Sequence, residues 1–255
     1  MTLSLELSHL TRSKVAVVDG SFMRRIAIAS SFFLPNYNLY FIMLQITRFV
    51  VNMIEENTYL LYDETGEAVL IDCGAFYPEE QQAIRNFLTE HRLRLTHLYN
   101  THGHFDHIFG AGFIHKDYGV QIELCADEQS VYEAAAEQMR MFIHRDLPLE
   151  LPPVGRYFKD GDILAFGNQK LQVIATPGHT PGGVCFYHVE SGVLLSGDSL
   201  FQGAIGRCDL PGGNEPQLIQ ALQTRILTLP DEVKVLPGHG DASTIGEERR
   251  SNPYL

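Results

Sequence analysis

Thr101-His102-Gly103-His104-Phe105-Asp106-His107 is the stretch from which this chain is read. Three imidazoles and one carboxylate crowd around a single glycine. His102 and His104 stand two residues apart, the spacing that puts side chains on one face of an extended segment. Asp106 and His107 follow at once, so the chain has to turn there if all four are to point inward. Neutral imidazole nitrogens and carboxylate oxygens are the ligands that Zn²⁺ and similar divalent ions take. A solvated loop needs no such concentration of ligands between apolar segments, so the stretch is read as a metal-binding loop.

Working outward, residues 97–100 read as a short strand that delivers the loop, and residues 107–118 as a helix that leaves it. Upstream, residues 44–51, 57–62 and 68–71 are rich in alternating and β-branched apolar residues and predict three strands. Pro78 opens a predicted helix to about residue 91, with Glu79 and Glu80 in its first turn. Downstream, the pattern predicts a strand over 120–125, a helix over 127–141 and a proline-bearing connection over 147–155. Strands follow over 162–166, 170–175, 184–189 and 193–195, then a helix over 216–229, a strand over 233–236 and a helical turn over 245–250. Strands that feed loops and then helices, in two halves, suit two packed sheets with helices covering both outer faces.

Three later residues share the context of the motif. His179 lies in PGHTPGG (177–183), Asp198 in SGD (196–198) and His239 in PGHG (237–240). Each follows an apolar, strand-like run and stands beside glycine, which lets a loop turn sharply at a sheet rim. With the motif they make seven candidate ligands, enough for two metal ions that share a carboxylate. His9, His91, His97, His115, His144 and His188 lack that context and are read as surface or packing residues.

The chain has 255 residues, 45% hydrophobic and 20% charged, enough for one large α/β domain. Its formal net charge of −12, without a lysine- or arginine-rich run, argues against a nucleic-acid partner and disfavours an anionic membrane surface. Cys73, Cys125, Cys185 and Cys208 form no C-x-x-C pair and read as reduced thiols, which points to a cytoplasmic protein. In residues 1–42 the basic pair Arg24-Arg25 comes too late for a signal peptide, and Pro35 with Asn36 and Asn38 interrupts any membrane span. That segment is read as an N-terminal extension outside the catalytic fold, with residues 43–255 as the working domain.

THGHFDH, PGHTPGG, SGD and PGHG, in that order, resemble the metallo-β-lactamase superfamily. The resemblance implies its αβ/βα four-layer sandwich, an α/β fold of two packed mixed sheets with helices on both outer faces. Within it, GAIGRCDLPGG (203–213), LIDCG (70–74) and LPGHGDASTIGEERRSNPYL (236–255) are similar to the short, single-domain bacterial glyoxalase II type, the hydroxyacylglutathione hydrolases. The C-terminal helical domain of long glyoxalase II enzymes, which helps to hold glutathione, has no counterpart after His239. The resemblance implies that His102, His104 and His179 hold one metal ion, that Asp106, His107 and His239 hold a second, and that Asp198 bridges them. Asp72 would brace the motif loop from behind, and Arg207 matches a basic position near the glutathione-side loop.

The implied chemistry is thioester hydrolysis in methylglyoxal detoxification, with S-(2-hydroxyacyl)glutathione (S-lactoylglutathione) cleaved to glutathione and a 2-hydroxy acid. Two divalent ions, zinc first and iron or manganese as alternatives, would hold and activate a bridging hydroxide. Asp106 would orient it, and a thiolate leaves without a strong general acid because free thiols have pKa ~8.5. The partner would be a small-molecule thioester, and the protein a monomer or small homo-oligomer. The same scaffold also carries mononuclear-iron persulfide dioxygenases, which the motif alone fits as well. A β-lactamase is disfavoured by Asp198, which stands where many of those enzymes use cysteine, and a scaffold protein by the complete set of ligands.

Overall fold

Consecutive apolar residues in a strand face opposite sides of a sheet, so a strand with no polar face needs cover on both. This chain has many such strands. The computed structural model describes residues 17–19, 44–144 and 149–255. Its first sheet holds β1 (Val17–Asp19), β2 (Gln45–Val51), β3 (Glu56–Tyr62), β4 (Glu67–Ile71), β5 (Arg94–Tyr99), β6 (Ile122–Cys125) and β7 (Arg156–Phe158), in that order across the sheet. The pairings from β1 to β4 are antiparallel and those from β4 to β7 parallel. The second sheet uses β8 (Ile163–Phe166), β9 (Gln169–Ala175), β10 (Val184–His188) and β11 (Val193–Gly197). A small ribbon of β12 (Leu200–Phe201) and β13 (Ala204–Ile205) follows, before β14 (Lys234–Pro237) and β15 (Ser243–Thr244) complete the second sheet in the order β15-β14-β11-β10-β9-β8. Only β11 and β14 pair in parallel there.

Three apolar layers result, and they make the α/β/β/α sandwich. Leu60, Leu70 and Leu98 face outward onto the helices α1 (Pro78–Glu90), α2 (Phe105–Ile108), α3 (Ala111–Tyr118), α4 (Gln129–Glu133) and α5 (Ala135–Ile143). Their neighbours Leu61, Ile71 and Tyr99 face inward and meet Val173, Phe186 and Leu195 of the second sheet. Ile174, Cys185 and Leu194 point the other way, onto α6 (Glu215–Ala221), the π turn Leu222–Ile226 and α7 (Ile245–Ser251).

The predicted strands form, but two predicted helices are divided. The helix expected over 107–118 breaks between α2 and α3 at Gly110, whose N–H is donated to the Cys73 carbonyl at 2.8 Å. A Cβ on Gly110 would collide with Cys73 Sγ, so the break seats the motif helix against the end of β4. The helix expected over 127–141 begins as a 3₁₀ turn (Ala126–Glu128) and breaks again at Ala134 (φ −84°, ψ 0°). Strands β1, β7 and β15 and the β12-β13 ribbon were not expected; they are two or three residues long, too short to show a period. Of the N-terminal extension only Val17–Asp19 is described, paired with β2, and the rest of that expectation lies outside the described residues. Among the described residues no helix is long and apolar enough to cross a membrane.

Candidate metal centre

The loops that carry the seven residues leave the two sheets at one edge, outside the carboxyl ends of β5, β9, β11 and β14. Backbone bonds tie the two halves together there. Val184 N–H is donated to the Thr101 carbonyl at 3.0 Å and Asn57 N–H to the Gly238 carbonyl at 2.7 Å, while within the second half Gly238 N–H is donated to the Gly197 carbonyl at 2.8 Å. Gly238 has to be glycine, since a Cβ would strike Asp198 Oδ1 and approach His107 Cε1 to 2.6 Å. Gly197, at φ +48°, lets β11 end in a turn packed on Thr101.

All seven candidate ligands meet. Ligand atoms of His102, His104 and His179 lie within 4.8 Å of one another, as do those of Asp106, His107 and His239, and those of His102, His107 and Asp198. Asp198 stands between the groups, its Oδ1 3.3 Å from His107 Nε2 and its Oδ2 3.7 Å from both His179 Nε2 and His239 Nε2. Six of the seven are buried or nearly so, with His239 the most accessible at 22% side-chain exposure.

The outer ring nitrogens fix the tautomers. His107 Nδ1 donates to Asp72 Oδ2 at 3.0 Å, His179 Nδ1 to the Arg207 carbonyl at 2.7 Å and His239 Nδ1 to the Ile54 carbonyl at 3.2 Å. Thr101 Oγ1 donates to Asp72 Oδ2 at 2.8 Å, so His102 Nδ1 donates to that hydroxyl at 3.0 Å. Each of these rings thereby turns a lone pair on Nε2 inward, the way outer hydrogen bonds orient metal-ligating histidines. Inside, His179 Nε2 faces His104 Nδ1 at 2.9 Å and His107 Nε2 faces His239 Nε2 at 3.2 Å. His102 Nε2 and Asp198 Oδ1 are buried without a hydrogen-bond partner. Lone pairs that face one another, beside orphaned buried acceptors, are what cation coordination satisfies; the residues fit two divalent ions.

The electrostatics agree. Burial, with help from His107 and His104, holds His102 well below its ordinary pKa, and burial beside His179 pulls His104 down to about 3. Burial opposes charge on His239 and His107 too, but the carboxylates of Asp198 and Asp106 outweigh it. They raise His239 to about 9 and His107 well above the usual range. His102 and His104 are thus neutral imidazoles, and His107 and His239 stand where carboxylates call for positive charge.

Asp72 holds the loop from behind. At φ 57° it ends β4 and accepts from Thr101 N–H at 2.8 Å as well as from the Thr101 hydroxyl and His107. The fully buried Glu56, raised to about 8 by burial, lies on the same side of His107, with Oε1 3.9 Å from Nδ1. Since that nitrogen already donates to Asp72, the Glu56–Asp72–His107 grouping braces the ligand and is no third ion site. Arg207 is exposed and grips Asp209 with two bonds of 2.7 Å, while its guanidinium stacks over Phe142 at 5.5 Å. Cys208, half-buried, donates its thiol to the Gly206 carbonyl and stays out of the cluster. Among the histidines read as bystanders, His188 is buried between Gln169 and Ser191, His97 pairs with Glu123 and His91 stacks on Phe87. His9 lies outside the described residues.

Sequence reasoning missed two anchors. Glu128 is buried, and its carboxylate accepts from Gly103 N–H at 2.8 Å and from Gly182 N–H at 2.6 Å. It thereby joins the loop of His102 and His104 to the loop of His179. Asn52 donates to the carbonyls of Asp106 (2.9 Å) and Gly74 (3.0 Å). Both sit far along the chain from what they hold, with no local spacing to reveal them.

A family model of the metallo-beta-lactamase superfamily matches residues 54–239, a span that contains every one of these ligands. The chain belongs to that superfamily. Among curated proteins, it is 35% identical over 207 residues to the hydroxyacylglutathione hydrolase GloC of Haemophilus influenzae, which covers 80% of this chain and 95% of that protein. The superfamily fold is equally plain in solved structures. The B3 metallo-beta-lactamase BLEG-1 has a TM-score of 0.75 at 32% identity, over 84% of this chain and 99% of that one. TTHA1623, solved in a di-iron-bound form, has a TM-score of 0.71 at 35% identity, over 81% of this chain and 98% of that one. The protein is therefore a metallo-hydrolase-superfamily member whose His/Asp clusters suit two divalent metals.

Proposed function

We propose that the protein is a thioesterase of the glyoxalase II type, which hydrolyses S-(2-hydroxyacyl)glutathione with two divalent ions, zinc first, that His102, His104 and His179 and Asp106, His107 and His239 would hold, with Asp198 shared between them. Iron or manganese suits the same histidine–carboxylate donors. The observation that carries the reading is the convergence of all seven donors with Asp198 facing both groups. The identity with the Haemophilus hydroxyacylglutathione hydrolase supports the substrate. Bound there, the ions supply a water with pKa lowered toward about 7 and charge to polarise a carbonyl oxygen.

The chain's own residues do the rest. The outer hydrogen bonds of His102, His107, His179 and His239 hold the imidazole rings aimed inward. Asp106, whose Oδ2 lies 3.2 Å from His239 Nε2, is the carboxylate that orients the attacking water. Hydrolysis adds the water oxygen to the acyl carbon and breaks the C–S bond, and the proton ends on a thiolate that leaves readily. We place this catalytic unit in residues 43–255, with residues 1–42 as an extension. The four free cysteines support a reducing, cytoplasmic setting. A small-molecule substrate, a monomer or small homo-oligomer, and no nucleic-acid or membrane partner complete the reading; the charge of −12 supports the last.

The test is release of free thiol from S-D-lactoylglutathione by the metal-loaded protein, with bound metals quantified on the same sample. Turnover with about two ions per chain is expected. No thiol release from a two-metal sample would remove S-lactoylglutathione as the substrate. A single bound iron with oxygen uptake on glutathione persulfide would establish a dioxygenase in place of the hydrolase.

A further inference from the structure

Beside His104 lies a pocket of about 420 Å³ between the α4–α5 helical segment and the loop around Leu210. Its walls are Val131, Ala134, Met141 and Phe142 on one side and Leu210 and Pro211 on the other. Among the described residues, Glu137 is the one ionisable side chain in the lining besides His104. Arg207, stacked on the Phe142 ring, spends its guanidinium on Asp209. Met141 and Phe142 remain 51% and 43% exposed, an apolar surface that opens directly onto a ligand of the metal centre.

Taken with the thioester reading, on which this inference rests, the pocket divides the substrate. A glutathione arm carries two carboxylates. Among the described residues, the lining offers those carboxylates Glu137 and no lysine or arginine to pair with. The acyl arm is the part that an apolar wall next to the reacting carbonyl suits. A lactoyl group offers only a methyl to a space of about 420 Å³, which falls within the range of small-molecule sites. We propose that this pocket takes the acyl arm, and that the preferred 2-hydroxyacyl group bears a large apolar substituent, aryl or branched alkyl, in place of the lactoyl methyl.

The comparison that tests it is kcat/KM for S-mandeloylglutathione against S-lactoylglutathione, measured on the full-length, metal-loaded protein. The mandeloyl ester is expected to be favoured at least about tenfold, the discrimination that burying a few extra carbons in a hydrophobic pocket provides. Ala134→Phe, which fills the pocket, should collapse that ratio toward one. Phe142→Ala, at a half-exposed position that folding tolerates, should lower it by removing a wall. Two esters cleaved equally well, or a ratio that neither substitution moves, would overturn the pocket assignment and leave the hydrolase standing. If neither ester releases thiol, the thioester reading fails and takes this inference with it.

Discussion

The two halves of the molecule supply their ligands in different ways. The first sheet sends out one loop, after β5, that delivers His102, His104, Asp106 and His107 together, and its residues enter both candidate clusters. The second sheet sends out three loops, after β9, β11 and β14, each with a single ligand. The first arrangement concentrates risk in one segment, so it is braced from behind by Asp72, Glu56 and Asn52. The second distributes it and relies on close backbone packing, as at Gly197 and Gly238. A ligand from the second half should therefore matter to one metal position, unless it faces both.

The contrast breaks if Asp198 behaves like its neighbours. Asp198→Ala should lower turnover by at least about 10²–10³-fold and lose both metals, because its carboxylate faces both groups. His179→Ala and His239→Ala should each lose about one equivalent of metal and keep the other. Metal analysis of the purified variants reads all three, and equal losses across them would mean that the halves are not organised as described.

A smaller effect sharpens the difference between bracing and joining. Asp72→Ala frees Thr101 and His107 at once, and should weaken metal binding about 10–100-fold at both positions. Glu128→Ala unties only the Gly103 and Gly182 loops, so its loss should fall on the His102–His104–His179 position. Titration of the metal-free proteins with zinc separates the two patterns, and uniform weakening by Glu128→Ala would refute its role as a tie between halves.

The smallest effect lies away from the metals. Burial holds His188 below its ordinary pKa of 6.5, against the pull of Glu190. The unfolded chain then binds the extra proton first, so this residue makes stability fall as pH drops below about 6.5. Denaturation midpoints of wild type and His188→Gln from about pH 7.5 to about pH 5.5 should show a shallower loss in the variant. Parallel curves would place the acid sensitivity elsewhere.

Much of the centre was legible from residue order. Four candidate ligands in one loop announce themselves by density, and His179, Asp198 and His239 by the glycine beside each at a strand end. The inner strands were legible too, since residues such as Leu60 and Leu61 need cover on both faces. What stayed hidden depends on chain separation. Helix breaks at Gly110 and Ala134 answer to the Cys73 contact and to local backbone geometry, and helical periodicity runs straight through both positions. The short edge strands carry too few residues for any period.

By itself, then, the sequence determined the seven candidate ligands, the succession of the longer strands and the superfamily, because each is written in local spacing and motif. Only the tertiary structure decided which nitrogen each histidine turns inward, that Glu128 joins the two ligand-bearing loops, and that an apolar pocket opens beside His104. Those features arise where residues distant in the chain meet. Hydrogen-bond direction and cavity shape are properties of such meetings and leave no trace in the order of residues along one segment.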